Sequence, residues 1–263
     1  MRKIKSLVFI ALTALSIVSC SSGNKEVEQA NVAELYSKGA SALQEGGYSE
    51  AIRYLKATTE RFPGSKYQEQ AMLDLIYANY KAQDYTQSLV TINNFLNQFP
   101  QSSNIDYAVY MAGLTNAAVA DNFIQDLFRI DRATRETASL KVAFANFQNL
   151  VRVFPNSPYA QDALARMTYI KAALARHELD IVKFYAKRNA HVAVANRVVD
   201  MMKQYSDAPA TYEALPYMQK AYENMNLQSL AAQTEQVIEA NRDRKFAEVN
   251  KPEESEALIA PHK

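Results

Sequence analysis

The most reactive side chain in the sequence is that of its single cysteine, Cys20. A thiol can attack carbon, bind a metal or accept an acyl chain, but one cysteine cannot form an intramolecular disulfide. The three histidines, His177, His191 and His262, are scattered without the spacing of metal ligands. The sequence also lacks a glycine-rich phosphate loop, a G-x-S-x-G motif and an H-E-x-x-H motif. We therefore expect no enzymatic activity, no metal and no diffusible cofactor.

The residues before Cys20 indicate what the thiol is used for. Met1–Lys5 carries three positive charges, and residues 6–19 form an apolar run that is too short to span a membrane, for which roughly 20 residues are needed. A basic start, a short apolar segment and small residues at its end are typical of a secretory signal. The end, Ile17-Val18-Ser19-Cys20, resembles the bacterial lipobox, whose cysteine is lipidated and becomes the first mature residue. The alternative is an ordinary signal peptide with an incidental cysteine.

This interpretation predicts the layout of the N-terminal region. Residues 1–19 form a lipoprotein signal peptide, and residues 20–30 form the lipidated N-terminus and a flexible tether. The acyl chains on Cys20 would be a covalent lipid that anchors the protein to a membrane. Ser21 follows the cysteine where an aspartate would direct retention in the inner membrane, by resemblance to enterobacterial sorting rules. We therefore expect lipid anchoring at the periplasmic face of the outer membrane.

A tethered protein acts through the domain that it carries, and internal repeats define this domain. Three segments end alike, at Phe62-Pro63, Phe99-Pro100 and Phe154-Pro155, and a fourth, at Tyr205-Ser206, keeps the aromatic residue but not the proline. Pro63 and Pro100 are 37 residues apart. Because proline disfavours the α conformation in the preceding residue, each proline should stop a helix.

The apolar residues between these stops follow helical spacing, as Ala51, Leu55, Thr58 and Phe62 do. The turns inside hairpins are expected at three places, namely Gly46-Gly47, Gln83-Asp84 and 224–226. The serine after each proline is expected to cap the next helix. Ser65 with Gln68 fits a capping box, and Ser157-Pro158 would place proline at the first helical position.

These units resemble the tetratricopeptide repeat, with Gly39 at the small-residue position of the first helix, followed by Tyr48, Ala51 and Pro63. The predicted fold is all-α, a right-handed α-solenoid of about five tetratricopeptide-like helical hairpins over residues 31–243. The hairpins are predicted at about 31–63, 66–100, 103–155, 158–206 and 209–241, with an insertion in the third at 121–138. The polar residues 244–263 are predicted to be a disordered tail.

Charge excludes one class of partner. The net charge is +1 for the whole chain, and removal of Arg2, Lys3 and Lys5 with the signal peptide changes it to about −2. Nucleic-acid binding depends on many contacts between basic side chains and phosphates. We therefore expect no nucleic-acid partner.

Four stretches resemble the BamD/ComL family of outer-membrane assembly lipoproteins, namely 48–52, 105–116, 154–159 and 192–198. Within them, Gly113-Leu114-Thr115 and Asn196-Arg197 are more specific than the repeat pattern. The resemblance covers nearly the whole mature chain. It implies a place in the machinery that folds β-barrels into the outer membrane. It also implies three kinds of partner: BamA, other assembly-machinery lipoproteins and unfolded outer-membrane β-barrel proteins.

The resemblance assigns two surfaces to these partners. The C-terminal repeats would bind the POTRA region of BamA through Tyr185, Arg188, Asn196 and Arg197. Either Arg197 reaches an acidic residue of the partner, or it pairs with Asp200 or another acid of its own chain. The N-terminal repeats would hold an extended substrate peptide in a groove, for which the candidates are Tyr36, Tyr67, Tyr77 and Tyr80. We expect one or two of these four tyrosines to line the groove and the others to be in the core.

Two further features allow two interpretations each. Phe184 is expected either in the core or at the contact surface. The insertion at 121–138 either docks another lipoprotein or only covers its hairpin.

A different periplasmic repeat lipoprotein, such as a pilotin or a coordinator of cell-wall synthesis, would have the same anchor and the same kind of repeats. The repeat periodicity alone does not separate this alternative from an assembly factor, because repeat proteins of one architecture bind many partners. The partner protein itself would separate them.

Overall fold

The computed structural model describes residues 27–261 apart from 125–129, with side-chain positions except at 121–124 and 130–136. Cys20, the signal segment and His262 lie outside the described residues, and so do residues 125–129 of the insertion predicted at 121–138. Within the described ranges the regular structure is helical, and no β-strand is present. The predicted all-α solenoid of tetratricopeptide-like hairpins is confirmed.

The helices pair along the chain into hairpins. Each pair lies within one of the ranges predicted from the sequence. The pairs are α1 (Val32–Gln44) with α2 (Tyr48–Arg61), α3 (Gln68–Lys81) with α4 (Tyr85–Gln98), α5 (Ile105–Ile124) with α6 (Ile130–Val153), α7 (Ala160–Ala186) with α8 (His191–Gln204), and α9 (Pro209–Asn224) with α10 (Gln228–Ala240). A short helix, α11 (Glu256–Ile259), follows near the C-terminus.

The chain divides into two compact units, and the division falls inside α5. The first unit contains residues up to Met111 together with residues from Ile259 onward, and the second runs from Ala112 to Leu258. Each unit has its own set of fully buried apolar side chains. Those of the first unit include Leu35, Leu55, Ile76, Ile92 and Phe95, and those of the second include Phe147, Leu150, Leu179 and Val198.

Four turns inside hairpins share one backbone conformation. Gly46, Gln83, Asn189 and Asn226 have φ angles of 76°, 61°, 56° and 58°. In each turn the next residue donates its N–H to the carbonyl five residues earlier, at distances of 2.8, 2.9, 3.1 and 2.9 Å. This is the Schellman ending of a helix, which satisfies carbonyls that the helix itself leaves free. Gln83 lies 37 residues after Gly46, and Asn226 lies 37 after Asn189. The period therefore holds in the last two hairpins as well as in the first two.

The turns between hairpins also repeat. In the first, second and fourth hairpins, the residue after the second helix is Phe62, Phe99 and Tyr205, respectively. Their φ angles are −130°, −123° and −132°, and their ψ angles are 59°, 56° and 40°. The carbonyl oxygen of each of these residues accepts a hydrogen bond from the N–H of the residue three positions later. The N–H of Ser65, for example, donates to the carbonyl of Phe62 at 3.2 Å. Tyr205 adopts this conformation without a proline after it, so the proline strengthens the stop but is not required for it.

The predicted capping roles of Ser65 and Pro158 are wrong. The hydroxyl of Ser65 is buried without a hydrogen-bond partner among the described residues, and the side chain of Gln68 accepts from the N–H of Gly64 instead. Pro158 lies two residues before α7, outside its first turn. In both cases two residues separate the serine from the first residue of the helix, so neither serine is the N-cap residue, and the hydroxyl of Ser157 accepts from the N–H of Tyr159, which precedes the helix.

Two glycines allow the helices of a hairpin to approach closely. A Cβ on Gly39 would lie 2.8 Å from Cγ of Leu55, and a Cβ on Gly113 would lie 2.4 Å from Cε1 of Phe147. Each glycine lies on the first helix of its hairpin, and its neighbour lies on the second. The small-residue position predicted at Gly39 is therefore a close helix–helix contact, and Gly113 repeats it in the third hairpin.

Both chain ends contact the units more than the sequence predicted. In the first unit, Ala30 is buried, and the guanidinium of Arg61 donates to the carbonyls of Val27 and Glu28, so residues 27–30 are packed and do not belong to a free tether. The tail that was predicted to be disordered is also packed. Its short helix buries Ile259 completely in the first unit, and in the second unit the ring of Phe246 packs against that of Tyr212 at a tilt of 48°, with 5.0 Å between the ring centroids. A few well-spaced apolar residues suffice to hold a segment whose average composition is polar.

Candidate partner-binding surfaces

Two of the four candidate tyrosines form a partly exposed aromatic pair in the first unit. Tyr36 on α1 and Tyr67, just before α3, stack with ring centroids 5.1 Å apart and an interplanar angle of 25°. The ammonium of Lys66 lies 5.0 Å from the centre of the Tyr67 ring. A stacked pair of this kind offers a rigid apolar face at low cost in conformational entropy.

A buried acid fixes one ring of this pair. The hydroxyl of Tyr36 is hydrogen-bonded to the carboxylate of Asp74, which is only 5% exposed and also accepts from the amide of Gln70 at 2.9 Å. Burial, the charge of Asp74 and the hydrogen bond to Asp74 together raise the pKa of Tyr36 to about 12, and burial has the largest effect. The hydroxyl therefore stays protonated and keeps donating to Asp74. Sequence reasoning missed Asp74, although a lone acid in the apolar run Ala71–Ile76 is a visible signal.

The other two candidate tyrosines are core residues. Tyr77 and Tyr80 are each 5% exposed. Their rings pack against Tyr48 at 6.3 Å and against Tyr85 at 5.8 Å, measured between centroids. Only Tyr36 and Tyr67 remain accessible to a ligand from the predicted groove set.

The tip of the fourth hairpin exposes aromatic and apolar side chains beside a guanidinium, and we call the surface formed by Phe184, Tyr185, Arg188 and Val192 the hairpin-4 tip. Phe184 near the end of α7 is 46% exposed, and Val192 at the start of α8 is 62% exposed. The guanidinium of Arg188 lies 3.5 Å from the centre of the Phe184 ring, and the ring of Tyr185 meets Phe184 edge-on at 5.5 Å. Phe184 is thus a surface residue and not a core residue. Aromatic and arginine side chains grouped in this way are enriched at the centres of protein interfaces.

Arg197 has an acidic partner within its own chain. Its Nη1 lies 2.7 Å from Oε2 of Glu178, which is on the neighbouring helix α7. Glu178 is more buried than Arg197, and its charge adds to the effect of burial in raising the pKa of Tyr205. Asn196, the adjacent candidate, is exposed on α8. Of the two possibilities left open by the sequence, the structure contains the internal pair, and with Glu178 instead of Asp200.

The second unit contains further ion pairs between its helices. Arg176 on α7 forms a two-pronged contact with Glu213 on α9, at 2.7 and 2.9 Å. Lys171 on α7 lies 2.6 Å from Asp207, and its hydrogen bond lowers the pKa of that carboxyl. These pairs join α7 to the start of the fifth hairpin, so the support of the hairpin-4 tip does not depend on Arg197 alone.

The part of the chain that the structure describes contains no group of three or more His, Cys, Asp or Glu side chains that could hold a metal ion. It also contains no helix that is long and apolar enough to span a membrane.

Comparison with known proteins finds relatives that match nearly the whole chain. Residues 28–237 match the YfiO family model, which is described as an outer membrane lipoprotein. A protein of Haemophilus influenzae named outer membrane protein assembly factor BamD is 71% identical over 259 residues, which cover 98% of each chain. Proteins of the same name from Pasteurella multocida and Vibrio cholerae are 68% and 40% identical, over 98% and 88% of this chain and 99% and 96% of theirs. The hairpin solenoid described above therefore belongs to the YfiO family of outer membrane lipoproteins, the BamD/ComL family.

Proposed function

We propose that this protein is a non-enzymatic, lipid-anchored outer-membrane component of the machinery that assembles β-barrel proteins. The similarity to proteins named outer membrane protein assembly factor BamD, at 71% identity and nearly full length, carries this proposal. Two partly exposed aromatic surfaces, one at Tyr36 and Tyr67 and one at Phe184, support a binding role. The covalent lipid on Cys20 would be its only non-protein group, and nucleic acid would not be a partner.

The hairpin-4 tip is the surface that we assign to the POTRA region of BamA. It combines an aromatic ring, a guanidinium stacked on that ring and an exposed valine, which are the ingredients of an interface centre. Tyr185, Arg188 and Asn196 can contact the partner directly. Arg197 would contribute either by exchanging Glu178 for an acid of the partner or by holding α8 against α7.

The stacked pair of Tyr36 and Tyr67 is the surface that we assign to unfolded barrel substrates. A peptide chain without fixed structure can lie across such an aromatic face, while the hydrogen bond to Asp74 keeps the Tyr36 ring in place. Tyr77 and Tyr80 would support the helices from the core and would not contact the substrate.

Co-purification from detergent-solubilised envelopes tests the BamA assignment with two matched valines. Val192 and Val142 are both exposed helix residues of the second unit, but only Val192 belongs to the hairpin-4 tip. Val192→Glu should reduce recovered BamA at least several-fold, because a buried unpaired charge opposes association. Val142→Glu should leave recovery unchanged. Equal recovery with both variants would refute the BamA-binding surface.

Two further measurements complete the test. Tyr67→Ala should weaken cross-linking to an unfolded barrel protein, whereas Tyr169→Ala, which changes a half-buried tyrosine of the second unit, should not.

Cys20→Ala tests the anchor, because it should block lipidation and release the solenoid from the membrane. Recovery of a secretin or a penicillin-binding protein in place of BamA would favour the alternative role as a pilotin or a coordinator of cell-wall synthesis.

A further inference from the structure

The second unit has a groove along α7, and the C-terminal tail forms one of its walls. Its volume is about 220 Å³, and the other walls come from α6, from α7 and from the residues at the start of α9. The side chains that line it are mostly apolar and include Phe144, Leu164, Met167, Pro209 and Val249. Leu164 is 43% exposed, so apolar surface stays open to solvent beside the tail.

The tail contacts the second unit with every third side chain. Residues 244–253 contain no helix, and Phe246, Val249 and Pro252 are half-buried while the residues between them are exposed. A repeat of three residues is that of polyproline II, a conformation in which extended peptides bind grooves on other proteins. The tail is therefore attached like a bound peptide, and not as another layer of the hairpin stack.

An aromatic ring on α9 receives the start of this segment. The ring of Phe246 lies 5.0 Å from that of Tyr212, and the guanidinium of Arg244 lies 4.7 Å from the Tyr212 ring, measured to the centroids. The same guanidinium lies 5.1 Å from the centre of the Phe246 ring. The hydroxyl of Tyr212 donates to the carbonyl of Ser206 at 2.8 Å, so a contact outside the tail already fixes this ring.

Charged groups hold both ends of the segment. At its start, the hydrogen bond from Lys171 lowers the pKa of Asp207, and the positive charge of Arg244 adds to this effect. At its end, Arg166 is only 7% exposed, and its Nη2 donates to the carbonyl of Glu253 at 3.1 Å. A bond to a main-chain carbonyl does not depend on the side chain of the residue that accepts it. The groove therefore selects side chains near the start of the segment and holds the main chain at its end.

We propose that the groove formed by α7 and α9 binds an extended segment of a partner protein, and that the tail occupies this groove in the partner's absence. The partner's segment carries the pattern that the tail shows, namely a basic residue, an aromatic residue two positions later and an aliphatic residue three positions after that. The groove is separate from the hairpin-4 tip and from the tyrosine pair, so the proposal does not depend on the functions assigned to them.

The contacts of the tail are of the kind that a competing segment can replace. The match to the YfiO family model ends at residue 237, before the segment begins. The apolar side chains that hold the segment are only half-buried, and segments with few buried contacts open at low free energy. Because the tail is tethered, its effective concentration at the groove is high, and it excludes weakly binding segments.

The probe is a fluorescein-labelled peptide with the sequence of residues 242–256, and its binding to the detergent-solubilised full-length protein is measured by fluorescence anisotropy. The unmodified protein should bind it weakly, because its own tail competes. The double variant Phe246→Ser with Val249→Ser should bind it at least tenfold more tightly, with a melting temperature only a few degrees lower. Adding Tyr212→Ala to this variant should weaken the binding at least tenfold. A peptide with serine at both positions should not bind.

The matched control is Ala247→Ser with Asn250→Ser, which changes two exposed residues of the same segment. It should bind the peptide as weakly as the unmodified protein does. The proposal is overturned if the variant of Phe246 and Val249 binds the peptide no better than the unmodified protein, or if the serine peptide binds equally well. A large fall in the melting temperature of that variant would also overturn it, because the segment would then be a structural part of the second unit. If light scattering shows that the unmodified protein is a dimer and this variant a monomer, the tail of a second copy fills the groove, and the proposed partner is refuted.

Discussion

Nη1 of Arg197 lies 2.7 Å from Oε2 of Glu178, so the arginine that the family resemblance assigned to a partner is paired across α7 and α8 of its own hairpin. The pair is about one-third exposed on the arginine side and 19% exposed on the glutamate side. A partly exposed pair of this kind contributes little to stability, on the order of 0.2–1 kcal/mol. An acidic partner can therefore replace Glu178 at small cost to the fold.

The first prediction uses this pair. Arg197→Ala should lower the free energy of unfolding by no more than about 1 kcal/mol. Glu178→Gln should leave BamA binding intact or strengthen it, because it frees the guanidinium without removing it. A double-mutant cycle measured by urea unfolding and by BamA binding separates the two roles. If Glu178→Gln and Arg197→Ala weaken BamA binding equally, the internal pair itself positions the surface, and direct contact by Arg197 is refuted.

The second prediction concerns Tyr36, whose folded-state pKa is about 12 against an ordinary value of 10.0. The folded state holds the proton more tightly, so this contribution to stability is complete below about pH 10 and is lost as the pH rises toward about 12. At neutral pH, Tyr36→Phe should cost about 1 kcal/mol, because Asp74 loses a hydrogen bond. The difference between the urea midpoints of the two proteins should shrink from pH 9 to pH 11. Tyr169→Phe serves as the control, and a constant difference for Tyr36→Phe would contradict the assignment.

The helical hairpins were predictable because their signals are local. Proline after an aromatic residue and apolar residues at helical spacing act within a few positions, and they recur at 37 residues in the first two hairpins. The longer third and fourth hairpins break this spacing between Pro100 and Pro155 and between Phe154 and Tyr205. The left-handed turn residues Asn189 and Asn226 nevertheless keep it. The 37-residue spacing of the last two hairpins is therefore present in the sequence, but it is marked by the turn residues and not by prolines.

The surfaces were less predictable because exposure depends on which helix lies opposite. Tyr36 and Tyr80 both occur on the first helices of hairpins, yet one is half-buried beside Tyr67 and the other is 5% exposed. The partner of Arg197 lies 19 residues earlier, on another helix, where no spacing rule within one helix applies. The tail was misjudged because average composition conceals single apolar residues such as Ile259.

The third prediction concerns the turn between α3 and α4. Gln83 has a φ angle of 61°, a conformation that costs a residue with a Cβ roughly 1–2 kcal/mol and costs glycine little. Gln83→Gly should therefore raise the free energy of unfolding, by about 0.5–1 kcal/mol after the added freedom of the unfolded chain is subtracted. Gln87→Gly, inside α4, should lower it by about 1 kcal/mol. Thermal unfolding that ranks the two variants in the opposite order would show that the turn does not limit stability.

The last prediction concerns Ile259, which is completely buried in the first unit, where its carbonyl accepts the hydroxyl of Tyr107 at 2.8 Å. Composition alone predicts that deleting the tail leaves the melting temperature unchanged, whereas a buried isoleucine predicts a loss. Ile259→Ala should lower the free energy of unfolding by about 2–5 kcal/mol, because it removes buried apolar atoms and leaves a cavity. Tyr107→Phe should cost about 1 kcal/mol through the lost hydrogen bond. The matched control is Leu258→Ala at the neighbouring, half-buried position, which should cost less. Urea unfolding of the three variants decides between the two expectations, since equal midpoints for Ile259→Ala and Leu258→Ala would mean that the tail does not stabilise the first unit.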